Sequence, residues 1–195
     1  MKHFLLGLLL SIPAFSFGQL KPFALGEVQL GECAFHDAQN TSYQYVMAHD
    51  VDKLLVPFRR EAGLPVTAVT YGNWENTGLD GHIGGHYLTA LAQIVAQSGD
   101  SAARSRLDYM VDELALCQKH NGNGYVGGIP GSKQLWDDVA NGKLTVDNFS
   151  VNRKWVPWYN IHKLFSGLRD AYVIAGNEKA KEVLIGLCDW CDNIT

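Results

Sequence analysis

The chain has no excess of basic residues: 16 Lys and Arg stand against 20 Asp and Glu, a formal charge of -4 over 195 residues. Nucleic-acid binding requires a basic face that this balance does not supply. No long run of either sign interrupts the sequence, so charge implies little else about partners. Long apolar runs are also missing, and the one near the start, Phe4 to Leu10, is too short to span a bilayer. The glycine-rich stretch Asn121 to Gly131 is followed by no Gly-Lys-Ser/Thr and preceded by no strand pattern, which excludes a phosphate loop. No Ser/His/Asp order and no paired-carboxylate motif stands out. Cysteine is scarce, at four residues, and sequence alone does not choose among their three possible pairings. Cys188-Asp189-Trp190-Cys191 has the spacing of a redox pair or half a zinc site. It lacks a second CxxC or a nearby histidine, and Cys191 falls in register with the apolar residues of a helix, so helix packing is the expectation.

What is present begins with an export signal. Lys2 and His3 precede the short apolar run, Pro13 breaks it, and Ser16-Phe17-Gly18 places small residues before Gln19. Residues 1–18 therefore read as a secretory signal peptide. No cysteine stands at the junction, so no membrane anchor is expected after cleavage, and the mature protein is expected in the periplasm or outside the cell.

Residues 19–44 form a leader without clear period, in which Phe23–Leu25 and Val28–Leu30 read as short extended pieces. From Tyr45 to Ala62 the pattern is helical, with Pro57 expected to kink or split it and Gly63 to end it. Ile83, Tyr87, Leu91, Ile94 and Val95 make one helical stripe, stopped at Ser98-Gly99-Asp100, and a second helix runs from Ala103 to His120. Asp100 or Ser101 can cap it. The same grammar returns in the stripe Ile161 to Ala175, the stop Gly176-Asn177, and the stripe Ala180 to Cys191. The two turns are 77 residues apart, which points to a repeated helical hairpin. Between the hairpins lie the glycine-rich stretch, expected to line a site as a long loop, a short amphipathic piece from Gln134 to Ala140, and a loop through Asn152. Stacked hairpins close into an α/α toroid or stay open as a solenoid.

Each hairpin's first helix is preceded by a polar-aromatic cluster. The first is Trp74-Glu75 through His82 to Tyr87, and the second is Trp155-Val156-Pro157-Trp158-Tyr159-Asn160-Ile161-His162-Lys163. Flat aromatic faces beside polar groups suit a sugar, and a closed toroid would bring both helix entrances to one pocket, where free N–H groups could serve hydroxyls. The candidate substrate-binding residues are His162, His82, His86, Trp74, Glu75, Trp158 and Tyr159. Their alternatives remain open. His82 and His86 have the i,i+4 spacing of a metal half-site, but Ile83 stands where the zincin pattern needs Glu and no third ligand follows, so no metal site is assigned. Helix-start packing suits them equally. His162 could be a half-buried histidine bonded to a carbonyl, and Glu75 could be a solvated helix-entry residue or a general acid.

At these clusters the sequence resembles the bacterial glycoside hydrolases of families 127 and 146, the β-L-arabinofuranosidases. Four segments carry the likeness: Asp52 to Arg59 with Ala62-Gly63-Leu64; Trp74-Glu75 through Gly85-His86-Tyr87-Leu88 to Ala92; Asp112-Glu113-Leu114 with Asn123 to Gly127; and Trp155 to Lys163 with Gly167 to Tyr172. They fall in order across residues 45–195. The resemblance implies an all-α fold, part of an (α/α)6 barrel, and an exported glycosidase acting on plant-derived glycans. It further implies that residues 45–195 are the N-terminal portion of the catalytic domain. The acid/base glutamate, the nucleophilic cysteine and a zinc ion would then lie with downstream residues, none of Cys33, Cys117, Cys188 or Cys191 standing in such a motif. On that reading the chain supplies one wall of the sugar pocket, carries no catalytic residue, is inactive alone, and leaves apolar helix faces uncovered. The alternative is a non-catalytic carbohydrate-binding or interaction module of helical hairpins.

Overall fold

The computed structural model describes residues 20–195. The signal-peptide expectation falls on residues 1–18, outside the described residues. Among the described residues seven helices form the body: α1 (Ala34–Met47), α2 (Val51–Glu61), α3 (His82–Ser98), α4 (Ser101–Asn121), α5 (Ser132–Ala140), α6 (Pro157–Val173) and α7 (Glu178–Ile194). None of the described helices is long and apolar enough to cross a membrane. The fold is all-α in the manner of an α/α barrel, relieved by one small antiparallel sheet.

The two expected hairpins are α3–α4 and α6–α7. Their turns match in conformation, with Gly99 at φ 69° and Gly176 at φ 72°. The left-handed region is open to glycine without the Cβ clash other residues meet. Asp100 and Asn177 then cap the second helices, accepting from the N–H groups of Ala103 (2.7 Å) and Ala180 (2.8 Å). Asn177 also donates to Asp108 Oδ1 at 2.7 Å, tying one turn to the other hairpin.

The hairpins meet along α3 and α6. Paired positions rise together along both helices: the His82 ring lies near Tyr159, Gly85 packs on Lys163 and Leu164, and Thr89 Oγ1 donates to Asp170 Oδ2 at 2.8 Å. The helices therefore run parallel, with both entrances at one end. Gly85 and Gly167 make the approach possible. A Cβ on Gly85 would overlap the Lys163 carbonyl, and one on Gly167 would overlap the Gly85 carbonyl and come within 2.9 Å of Leu88 Cβ. Around this crossing Leu88, Leu91, Leu164 and Leu168 are buried, continuous with Leu107, Met110 and Leu114 of α4. Because α3 is packed by several helices, Leu88 and Ala92 are buried beside the predicted stripe, whereas Ile83 and Ile94 are half-buried.

Several local expectations are corrected. A helix already begins at Ala34 within the predicted leader, and a 3-10 turn at Leu25–Glu27 takes in the last residue of the first expected extended piece, with Ala24 and Val28 extended on either side. The break between helices falls at residues 48–50, where Asp50 caps α2 by accepting from the Asp52 N–H at 3.0 Å. Pro57 stays inside α2, buried against Gly128. The glycine-rich stretch is a brace rather than an open lining: Tyr125, Val126 and Ile129 are buried. A Cβ on Gly128 would come within 2.7 Å of Pro57 Cβ and 2.8 Å of the Asp80 carbonyl oxygen, so this glycine is needed for close packing behind the α3 entrance. The loop expected through Asn152 instead contains β1 (Val146–Asp147), β2 (Ser150–Val151) and β3 (Lys154–Trp155), an antiparallel meander. Period reading misses strands of two residues each.

Of the CxxC pair, Cys191 is half-buried against the core and Cys188 is exposed; both are free thiols. Val173 and Ile185 stand half or more exposed on the last hairpin.

Candidate functional site

Both polar-aromatic clusters come to the same end of the α3–α6 pair, each by an unusual helix start. Gly81 at φ 92° precedes α3, and Val156 at φ 34° precedes α6, both left-handed. For a β-branched residue this conformation is strained, and such strain is found where surrounding structure enforces it. At Val156 the enforcement is visible. Its N–H donates to the Phe149 carbonyl at 2.7 Å, which anchors the meander to α6, and Pro157 opens the helix where its missing N–H costs nothing. Asn160, fully buried, donates from Nδ2 to the carbonyls of Leu79 and Asp80, both at 2.9 Å. One amide thus fastens the α6 entrance to the loop that leads into α3.

That loop is built around Glu75, whose side chain has no solvent exposure. Its Oε2 accepts from the Gly81 N–H at 2.9 Å and its Oε1 from the Ile83 N–H at 3.0 Å. Oε1 also lies 2.7 Å from His82 Nδ1. The carboxylate therefore satisfies the first turn of α3 from six residues back, doing the work of the absent side-chain N-cap. The expectation that Glu75 touches the sugar or serves as an acid is corrected: its oxygens are occupied by the protein's own donors, and it stands behind His82. The same fact corrects the idea of a free helix N-terminus for ligand hydroxyls, since the carboxylate already fills that of α3.

His82 is buried, with Nδ1 facing two acceptors, Glu75 Oε1 and the Leu79 carbonyl at 2.9 Å. Nδ1 must then carry a proton, which leaves Nε2 as the nitrogen available to the site. Burial works against a charged ring here, but the hydrogen bonds to Glu75 and the Leu79 carbonyl, with the Glu75 charge, outweigh it and raise the His82 pKa. His86, one turn on, is shifted the other way by burial and by the positive surroundings of Lys163, His82 and His162. It presents a neutral ring, able both to donate and to accept.

Around this pair the structure gathers Trp74, whose ring centre is 6.0 Å from that of His82, and Tyr159, at 6.4 Å. His86 stands edge-on to His82 at 6.3 Å. Trp74, His86, Tyr159 and His162 are exposed, so the assembly forms an open wall of rings and nitrogens. Trp158 is placed differently from the sequence expectation: it stacks on Trp136 at 4.5 Å and stands 6.3 Å from Trp190, in a second aromatic group. Successive residues at a helix start point about 100° apart, so Trp158 and Tyr159 cannot both face the histidines.

Two contributors escaped the sequence reading. Lys163 lies 4.4 Å from the centre of the Tyr159 ring, a cation–π contact that brings a positive charge to the wall. Its i,i+4 spacing from Tyr159 was the available signal. Asn160 offered no signal beyond its presence in the motif, because its partners are carbonyls eighty residues away in sequence.

The arrangement can bind and orient a polyhydroxylated ring: flat faces for its C–H surface, imidazole nitrogens for its hydroxyls. A metal is another matter. Among the described residues no group of three His, Cys, Asp or Glu side chains is placed to hold one. The His82 nitrogen nearest a carboxylate is a donor to it, and the Cys117 thiol is buried, its pKa pushed up to about 12 by burial first and by the Glu113 charge second. The described residues thus do not fit a zinc site.

Comparison with known proteins is consistent with the all-α architecture. No curated protein matches the chain significantly. A family model described as β-L-arabinofuranosidase, GH127 catalytic domain, matches residues 27–195, from the 3-10 turn before α1 through the end of α7. With both clusters and both hairpins inside that match, the chain belongs to the GH127 glycoside hydrolase catalytic-domain family.

Proposed function

We propose that the protein is an exported β-L-arabinofuranosidase that releases β-linked L-arabinofuranose from plant-derived glycans, and that the wall at the α3 and α6 entrances holds the released sugar. The observation that carries this reading is the convergence of His82, His86, His162, Tyr159 and Trp74 at one end of two parallel helices. His82, oriented by Glu75, offers Nε2 to a hydroxyl; His86 and His162 supply further donors and acceptors; Trp74 and Tyr159 bound the ring's apolar faces. In this reading the acid/base carboxylate and the nucleophile come from residues outside this chain, since both carboxylates of the first cluster are engaged within the fold, Glu75 in holding α3 and Asp80 by Arg60 and the Gly78 N–H. A zinc ion with ligands outside this chain belongs to the same proposal. Metal analysis of the purified full protein tests it directly.

The deciding experiment offers the purified full protein a panel of α- and β-arabinofuranosides, pyranosides and other glycosides. Release of L-arabinose from β-arabinofuranosides alone is the expected result, and selective hydrolysis of another sugar would move the reading to a different specificity on the same fold. The occupied Glu75 favours one second reading, a glycan-binding module without catalysis, which predicts saturable oligosaccharide binding and no hydrolysis of any member.

A further inference from the structure

Beside the histidine wall lies a groove that it does not use. A cavity of about 490 Å³ is lined by Tyr45 and His49 at the end of α1, Leu54 of α2, Tyr71 and Asn73 in the approach to α3, and Trp74. Trp74 belongs to both places, since its indole lines the groove and also lies 6.0 Å from the His82 ring. The groove's volume is within the range of ligand pockets, 300–1,000 Å³ being about typical.

Its walls are held in place. Tyr71 Oη accepts the Asp50 N–H at 2.9 Å, which fixes the phenol. His49 Nδ1 bonds the Tyr45 carbonyl at 2.9 Å, and the His49 carbonyl accepts from Arg106 Nη1 at 2.7 Å. His49 stacks edge-on against Tyr45 at 4.7 Å and tilts toward Tyr71 at 5.7 Å. Yet the rings are not covered: Tyr45 is 69% exposed and Trp74 61%. Among the described residues Tyr45 Oη, His49 Nε2 and the Asn73 amide have no hydrogen-bond partner in the fold. Exposed aromatic faces beside a phenol and an imidazole held by hydrogen bonds, edged by unused donors and acceptors, match an amphipathic ring better than an apolar ligand.

We propose that this groove is a second sugar subsite, which takes the glycan residue to which the terminal arabinofuranose is attached. Trp74 would be the shared partition between the two rings. The inference rests on the proposed reading of the histidine wall, and it adds that the protein selects oligosaccharides over simple glycosides by stacking their second residue on Tyr45.

The test compares two substrates of the full protein: a β-L-arabinofuranosyl disaccharide, which reaches the groove, and the methyl β-L-arabinofuranoside, which does not. Tyr45→Ala removes one exposed ring and should raise KM for the disaccharide roughly threefold to tenfold, the loss expected of one aromatic stacking contact. Hydrolysis of the methyl glycoside should stay at the wild-type rate, and Tyr45→Phe, which keeps the ring, should retain most of the disaccharide KM. Equal KM for the disaccharide in wild type and Tyr45→Ala, with normal hydrolysis of both substrates, overturns the groove and leaves the wall intact. Parallel loss on both substrates overturns it as well, because the ring would then support the wall or the fold. A wild-type protein that hydrolyses neither substrate overturns the wall reading first, and the groove with it.

Discussion

Within each hairpin the two helices begin in opposite ways. The second helices, α4 and α7, start with a side-chain cap one residue before the helix, Asp100 or Asn177, after a left-handed glycine. The first helices, α3 and α6, have no such cap; Gly81 and Val156 precede them in left-handed conformations, and distant groups complete the turn. For α3 that group is the buried Glu75, and for α6 it is the network of Asn160 and the meander. The difference teaches where the chain departs from local preference. Starts that serve only folding follow capping rules, whereas the starts that carry the histidines and aromatics are held by long-range contacts, as expected where geometry at a site outweighs local propensity.

The comparison breaks most severely at the crossing that brings the two unusual starts together. Gly85→Ala would drive a methyl group into the Lys163 carbonyl and to 2.7 Å from the Leu164 nitrogen. We expect a loss of about 4 kcal/mol or failure to fold. Gly99→Ala has open space and meets only the φ penalty, so it should cost about 1 kcal/mol. Chemical denaturation of the two variants measures the contrast, and equal costs would mean that the helices can separate without penalty.

Glu75→Gln comes next. It replaces a carboxylate that accepts from two N–H groups and His82 with an amide that keeps one acceptor oxygen and must turn its NH2 toward a donor at the other position. A loss of about 2–3 kcal/mol follows. Its pH dependence is diagnostic. The folded pKa of His82 is raised, so the protonated ring stabilises the fold below the unfolded value near 6.5, and that contribution disappears as pH rises through the folded pKa. Glu75→Gln should flatten this part of the stability–pH curve. A curve identical in shape to that of the wild type would remove Glu75 as the cause.

His162→Ala separates site from scaffold. The residue is exposed at the first turns of α6, so its loss should leave Tm nearly unchanged while kcat/KM for a β-arabinofuranoside falls about tenfold. A large fall in Tm with unchanged kinetics would make it a packing histidine. Smallest of all should be Asp100→Ala, which deletes a helix cap and the bond accepted from Tyr43 Oη at 3.0 Å for about 1 kcal/mol, or about 2–4 °C in Tm, with kinetics untouched.

Much of the fold could be read in advance, for reasons visible in those same residues. The hairpin turns and second-helix caps are local, written in Gly99-Asp100 and Gly176-Asn177, and the apolar stripes repeat at helical period. The early helix α1 was not, because its residues Ala34 to Met47 are exposed or half-buried and show no strong stripe. In the candidate site, grouping the two clusters followed from hairpin symmetry, and His82, His86, His162, Trp74 and Tyr159 are brought to one end of α3 and α6. The roles of Glu75 and Trp158 were out of reach. Whether a carboxylate faces solvent or a backbone turn depends on a three-dimensional path, and a helix start hides which of two neighbouring aromatics turns outward.

Period, turn chemistry and motif order are short-range properties, so residues alone settled that this chain builds paired helices with aromatic-histidine entrances and places it among the GH127 glycoside hydrolases. Burial and pairing across the molecule are long-range. Only the packing of α3 on α6 through Gly85 and Gly167 decided how closely the two entrances approach, and only the closed loop of residues 75–83 turned a candidate acid into the support of His82. The same carboxylate has different chemistry in water and against N–H groups, and the fold chooses between them.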